Sequence, residues 1–227
     1  MITEKFNYTQ LKRKSVEGKR LYTTPDGTAV PSVTTILDKT KSEEKRMALA
    51  NWKKRVGRQA AQEIVTEASG RGTRMHKYLE DYCIDDKLKA PGSYPFSQQA
   101  NKMAEVIVEQ GMGNFTEIWG TEIPLYFPEL YAGTTDAVGV YNGKPSIIDF
   151  KQTNKPKKEE WVDDYKTQLV AYALAHNEVY GTNIKQGVIL MCSKDLLYQT
   201  WTIKDDEFEL FTEHWLNRVQ SYYQLMA

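Results

Sequence analysis

The sequence predicts a mixed α/β fold, and three observations carry that reading. From residue 115 to 203 the pattern runs strand, strand, strand, helix, strand, strand, with helical stretches before and after. An Asn142-Gly143 pair between two β-rich segments marks a two-residue hairpin. A long helical stretch over 159–180, apolar at Leu169, Tyr172, Ala173 and Val179, interrupts the strands and makes the sheet a mixed one.

The elements follow in chain order. Lys19-Arg20-Leu21-Tyr22 reads as a short extended piece before a turn at Pro25-Asp26-Gly27. The β-branched run 30–37 reads as a strand, or a strand leading into a helix. Residues 42–56 form a helix opened by Ser42 with two glutamates in its first turn. A second helix covers 58–82, with an interruption or kink expected at Gly70-Arg71-Gly72 because glycine disfavours helix interiors. A third covers 97–109. Strands are expected over 115–126, 131–141 and 145–150, followed by a basic loop over 152–158. Strands over 187–192 and 197–203 precede a last helix, 205–225. No repeat appears, so 1–227 reads as one domain: a mostly helical part to residue 110, an αβ core over 115–203 and a C-terminal helix.

The 227 residues are 41% hydrophobic and 26% charged, enough apolar mass for a core. No apolar run is long enough to span a membrane, and the start lacks the apolar centre of a secretory signal. The expectation is a soluble, cytoplasmic protein with no membrane partner. Two cysteines, Cys83 and Cys192, are too few for a four-cysteine zinc site or an iron–sulfur cluster. Net charge is zero, but its distribution is uneven. Residues 1–60 hold 14 Lys and Arg against 6 Asp and Glu, whereas residues 81–150 hold 4 against 10. A basic lobe beside an acidic centre suits an enzyme that grips phosphates and holds cations near the reaction.

The chemistry is carried by Gly133-Thr134-Thr135-Asp136 and, thirteen residues after that aspartate, Asp149-Phe150-Lys151. A hairpin turning at Asn142-Gly143 brings Asp136 and Asp149 together, and two close carboxylates repel unless a divalent cation lies between them. Hard oxygen donors favour Mg²⁺ or Mn²⁺ over zinc. Lys151 lies two residues beyond Asp149 and so on the same strand face, where an ammonium stabilises charge on a phosphoryl oxygen. By itself an Asp-x-Lys triplet is equally a strand-end ion pair. Two further patterns stand around it: Gly72-Thr73-Arg74-Met75-His76 upstream, and Gln168 with Tyr172 four residues on, sharing one helix face.

In this order the four motifs resemble the RecB-like branch of the PD-(D/E)XK nuclease superfamily. Pro31-Ser32-Val33-Thr34-Thr35-Ile36-Leu37 and the Leu49, Trp52, Gly57 spacing extend the resemblance toward the mitochondrial genome maintenance exonuclease group and its phage and bacterial relatives. It covers about residues 20–176. The resemblance implies a restriction-endonuclease-like core with an N-terminal helical arch, and a Mg²⁺-dependent DNA exonuclease, with Mn²⁺ as a substitute, acting on single strands with free ends. It implies His76, Asp136, Asp149 and the Phe150 carbonyl as metal ligands and Lys151 as the catalytic lysine. Gln168 and Tyr172 would support the site, and Glu122 on the preceding strand would be a further acid, although a strand-edge glutamate is as plain a reading. Glu80, His176 and His214 read as structural or incidental. Two departures stand out. The lysine is followed by Gln152 where relatives carry threonine, and the cysteines of an iron–sulfur cluster are missing.

DNA is the implied partner, with Ser32, Thr34, Lys53, Arg55, Arg58, Lys155 and Lys157 as phosphate contacts and Trp52 as a stacking residue; Lys12-Arg13-Lys14, Lys54, Lys158, Trp161 and Tyr165 belong to the same stock. Rival readings are a duplex-dependent 5′→3′ recombination exonuclease, an endonuclease or junction resolvase, and a non-catalytic DNA-binding module. A compact nuclease of this kind implies a phage or bacterial gene in replication, recombination or repair. Polarity, oligomeric state and the number of metals are left open.

Overall fold

A computed structural model describes residues 2–16 and 19–227. Its centre is a five-stranded sheet of β4 (Phe115–Phe127), β5 (Tyr131–Tyr141), β6 (Lys144–Thr153), β7 (Gln186–Ser193) and β8 (Tyr198–Lys204), side by side in that order. All neighbours are antiparallel except β6 and β7. That parallel pair needs a crossover, supplied by a 3₁₀ turn at Glu159–Trp161 and α5 (Asp163–Tyr180). All eight residues of β7 are buried, as expected of a strand covered on both faces.

Alternation along the strands divides the core in two. Ile147, Ile189 and Met191 face α5, α1 (Val33–Lys39) and α6 (Asp205–Met226), around Trp215 and Tyr131. Ile148, Phe150, Val188 and Leu190 face α3 (Arg58–Asp85) and α4 (Pro95–Gly111), against Met75, Leu79, Met103 and Ile107. The β5–β6 turn has Asn142 at φ +49° and Gly143 at φ +75°, left-handed at both positions as a type I′ hairpin demands. Gly139 is dictated by close approach: a Cβ there would lie 2.1 Å from the Glu117 carbonyl oxygen, where the β4–β5 register slips.

The N-terminal third is more structured than its sequence suggests. The basic run 12–16 is a strand, β1 (Lys12–Val16), in an antiparallel sheet with β2 (Lys19–Thr23) and β3 (Ala29–Pro31). The 30–37 segment divides at Ser32, whose hydroxyl accepts from the Thr35 N–H and caps α1. The segment before β1 lies along the edge strand β4 and against α5: Thr3 donates its N–H to the Ile118 carbonyl, and Phe6 and Tyr8 pack with Trp119, His176 and Tyr180. α2 (Glu43–Val56) buries none of its residues and meets α3 at Gly57, φ +86°.

One expectation fails. α3 runs without a break through Gly70-Arg71-Gly72. Tertiary contact overrides glycine's weak propensity there. Arg71 is 1% exposed; its Nε donates to Gln152 Oε1 at 2.9 Å, Nη1 to Glu67 Oε1 at 3.1 Å, and Nη2 to Asn154 Oδ1. The missing side chain of Gly72 leaves room for Gln152, whose Nε2 donates to the Ala68 carbonyl. α3 is thus clamped to the end of β6.

Two consequences can be measured. Replacing Arg71 by Met leaves the Gln152 and Asn154 acceptors without their donor, and should cost about 3 kcal/mol in urea unfolding; a loss below about 0.5 kcal/mol would show that the clamp contributes nothing. His176 is buried, with Nε2 3.1 Å from the Tyr8 hydroxyl and Nδ1 2.8 Å from Thr182 Oγ1, and burial pushes its imidazole down from 6.5 to about 4. The unfolded chain therefore binds the extra proton between those values. Stability contributed here is present above pH 6.5 and falls with pH, by about 3 kcal/mol at pH 4. The stability difference between the wild type and His176→Phe should shrink in that window, and a difference constant from pH 7 to 4.5 would refute it.

Candidate active site

Side-chain geometry at the mouth of the sheet follows from the β5–β6 register. Ala137 pairs with Ile148, so the next residues outward, Asp136 and Asp149, face each other across the two strands. Asp136 Oδ2 accepts the Phe150 N–H at 2.7 Å, and its Oδ1 lies 3.2 Å from His76 Nδ1. Two residues past Asp149, Lys151 turns back on the same face, its Nζ 2.6 Å from Asp149 Oδ1 and 2.5 Å from Oδ2. Only the first contact has hydrogen-bond geometry, so Oδ2 is a buried acceptor with no donor.

Glu122 reaches the same point from β4. Thr121 pairs with Ala137 and Ile123 with Thr135, leaving Glu122 opposite Asp136 with a left-handed backbone, φ +50°. One donor atom each from His76, Glu122 and Asp136 lies within 4.8 Å of the others. An imidazole nitrogen with several carboxylate oxygens, one of them orphaned, is a donor set that fits a hard divalent cation. His76 stands on α3, held where the Arg71 clamp fixes that helix, with its ring edge-on to Phe150 at 6.4 Å.

The carboxyls do not titrate alike. Burial raises Asp149, and the charge of Asp136 adds to it, more than Lys151 lowers it. Burial also works to raise Asp136, but His76, Lys151 and the Phe150 N–H together hold it below its ordinary value. Glu122 is raised, first by desolvation and then by Asp136. Burial works against the Lys151 ammonium, yet Asp149 and Asp136 outweigh it and the net shift is upward, so Lys151 is a cation at neutral pH. Its Nζ also lies 5.0 Å from the centre of the Tyr165 ring.

α5 supplies the far wall. Gln168 Nε2 donates to the Tyr172 hydroxyl at 2.9 Å. Tyr172 packs on Gly133, where a Cβ would lie 2.5 Å from a ring carbon, so only glycine admits the ring. These groups enclose a cavity of about 240 Å³, which the N-terminal sheet closes from above with Arg13, Arg20 and Tyr22. The Tyr22 hydroxyl is 3.3 Å from Thr134 Oγ1, two residues before Asp136.

His76, Glu122, Asp136, Asp149, Lys151, Gln168 and Tyr172 therefore line one cavity, together with Ser32 and Thr34. The Ser32 hydroxyl is engaged by the Thr35 N–H and by the hydroxyls of Thr34 and Thr35. Phe150 contributes its N–H to Asp136, and its ring lies in the α3–α4 core. Trp52, Lys53, Arg55 and Arg58 stand on α2 and the start of α3, and Lys155 and Lys157 on the loop after β6; none of them lines the cavity. The Lys157 main chain is tied to Gln199. Glu80 pairs with Lys77, and His214 lies against Phe211. Sequence reading missed Arg20 and Tyr22; their alternation on an extended segment was the available signal.

No family model matches the chain. Three vertebrate proteins named mitochondrial genome maintenance exonuclease 1 do. The mouse protein is 27% identical over 204 residues, 86% of this chain and 59% of its own length. The Xenopus tropicalis protein is 28% identical over 206 residues, 85% and 57%. The human protein is 27% identical over 177 residues, 73% and 50%. The chain thus spans between half and three-fifths of the curated relatives it matches, and their vertebrate origin lends no support to the expected phage or bacterial source. Among solved structures, an exonuclease candidate from Eubacterium rectale superposes with a TM-score of 0.49 at 15% identity, over 71% of this chain and 69% of that one. The alkaline exonuclease of Laribacter hongkongensis gives 0.27 at 10%, over 66% and 81%. The chain is thus similar in sequence, over most of its length, to the mitochondrial genome maintenance exonucleases, and its mixed five-stranded sheet presents the motifs in the order read from the sequence.

Proposed function

We propose that the chain is a metal-dependent deoxyribonuclease that hydrolyses phosphodiester bonds of single-stranded DNA from a free end, in DNA replication, recombination or repair. The observation that carries the reading is the meeting of Asp136 and Asp149 across the β5–β6 register, with Lys151 on the same face and a buried Asp149 oxygen left without a donor. The exonuclease name of the sequence relatives supports it.

His76, Glu122, Asp136 and Asp149 would hold Mg²⁺, or Mn²⁺ in its place. Such an ion, when bound, supplies Lewis-acid polarisation of a phosphoryl oxygen and lowers the pKa of a water ligand. The rest of the chemistry belongs to the chain. Lys151 stays protonated, so it donates to a phosphoryl oxygen as charge builds there and does not act as a base. Asp149 keeps the ammonium aimed. Tyr165 shields its flank. Gln168 and Tyr172 brace the wall against which a nucleotide would rest. A cavity of about 240 Å³, lined by Arg13, Arg20 and Tyr22 of the N-terminal sheet as well as by the carboxylates, is narrow for a stacked duplex and is the feature that favours single-stranded DNA over the duplex-dependent rival. Lys53, Arg55 and Arg58, on a helix arm that buries little of itself, would meet phosphates of the same strand further out, with Trp52 as a stacking partner.

The test is a time course on linear single strands labelled at either end, beside circular single strands and blunt duplex, with Mg²⁺. Linear single strands alone should be degraded. Lys151→Ala should slow the reaction by about 10²–10³-fold while sparing DNA binding. Asp136→Asn and His76→Ala should weaken Mn²⁺ binding, read by electron paramagnetic resonance, at least tenfold. Digested duplex would favour the recombination-type enzyme, cut circles an endonuclease, and tight binding without cleavage a DNA-binding module.

A further inference from the structure

The cavity has a second charged wall that the chemistry above does not use. Arg13 and Arg20 line it from the N-terminal sheet, a different sheet from the one that carries the carboxylates. The β1–β2 register sets Arg13 directly opposite Tyr22, and Arg20 is two residues from Tyr22 along β2. Opposed residues, and residues two apart, project from the same sheet face, so all three side chains point one way. Tyr22 shows which way: it is buried, with its hydroxyl beside Thr134 on β5.

Neither guanidinium has an ion pair or hydrogen bond among the described residues, and Arg20 meets Thr35 only through its main chain. Arginines with a purely structural role would close onto the nearest acids. Here Asp136 is met from below by His76, and Asp149 by Lys151. The cavity is therefore bipolar, with an acidic floor suited to a cation and an arginine roof suited to an anion. A lone phosphate answers one pole only. A nucleic-acid strand answers both, because its backbone repeats the same anion at each step. The planar guanidinium matches phosphate oxygens without reading a base.

We infer that Arg13 and Arg20 bind the phosphate adjoining the scissile one, so that the site recognises two successive phosphates of one strand. The inference rests on the nuclease reading. The Arg13–Arg20 face is a binding element, and its contribution can be separated from that of the floor, because the roof holds DNA without any cation.

The experiment measures equilibrium binding of a fluorescein-labelled short oligothymidylate in EDTA across a salt series, followed by KM and kcat with Mg²⁺. For the full chain carrying Arg13→Ala and Arg20→Ala, Kd should rise roughly ten- to a hundredfold, and the slope of log Kd against log salt should fall by about 1.4. Arg13→Lys with Arg20→Lys should recover most of the salt slope. The loss should appear in KM more than in kcat. One neutral methylphosphonate at the linkage next to the scissile bond should weaken wild-type binding and have no added effect in the double alanine variant. If that variant binds with wild-type Kd and slope while Lys151→Ala still slows cleavage as expected, the roof assignment is wrong and the nuclease reading survives. If the wild-type chain neither binds nor cuts DNA, both fall together.

Discussion

The opposition of Asp136 and Asp149 across two paired strands is the constraint around which the other features are arranged. Two carboxylates removed from water cost several kcal/mol each unless neighbours compensate them. Each has a different set of neighbours. Asp136 takes the Phe150 N–H and His76, so it stays ionised despite burial. Asp149 has Lys151 alone, which leaves one oxygen without a hydrogen-bond donor. Burial, together with the charge of Asp136, pushes Asp149 upward. A divalent cation between the two carboxylates would relieve that repulsion.

Compensation from His76 depends on where α3 sits, and that is decided more than a turn earlier in the helix. Arg71 and Gln152 join α3 to the strand that carries Lys151. The residue that follows the lysine is therefore not idle: Gln152 reaches the Ala68 carbonyl and the Arg71 guanidinium, and the small Gly72 lets it pass. Its long amide ties two elements together. On the opposite side, Phe6 and Tyr8 fasten the N-terminal segment around His176 and Trp119, and the chain leads from there directly into β1. Both walls of the cavity are held by contacts outside it.

Much of the core is legible in the sequence because its signals are local. The Asn142-Gly143 turn sets the β5–β6 register, and two-residue periodicity then carries Asp149 and Lys151 to one face. Gln168 and Tyr172 follow from helix spacing in the same way. What could not be read depends on partners distant in the chain. The glycines around Arg71 signal a break, and only Glu67, Gln152 and Asn154 together explain why the helix continues. Lys12-Arg13-Lys14 reads only as part of the basic stock for phosphates; its strand pairing, and the assignment of Arg13 to the cavity face, come from Tyr22 across the sheet. Ser32 reads as a phosphate contact, yet its position before Val33 makes it a helix cap first.

Glu122 shows how the two kinds of information combine. A glutamate at φ +50° holds a conformation that costs a non-glycine residue about 1 kcal/mol or more, and glycine would relieve it. Glycine would also remove the carboxylate. The strand on either side keeps its pairs, Thr121 with Ala137 and Ile123 with Thr135, so the distortion is confined to one residue and the sheet overrides its preference. Its effect is to bring a third acid beside Asp136 and His76, at a point where like charge and desolvation both act to raise its pKa. Backbone strain and electrostatic repulsion thus fall on the same residue. Neither contributes to folding, so the position is best explained by what the assembled cavity receives.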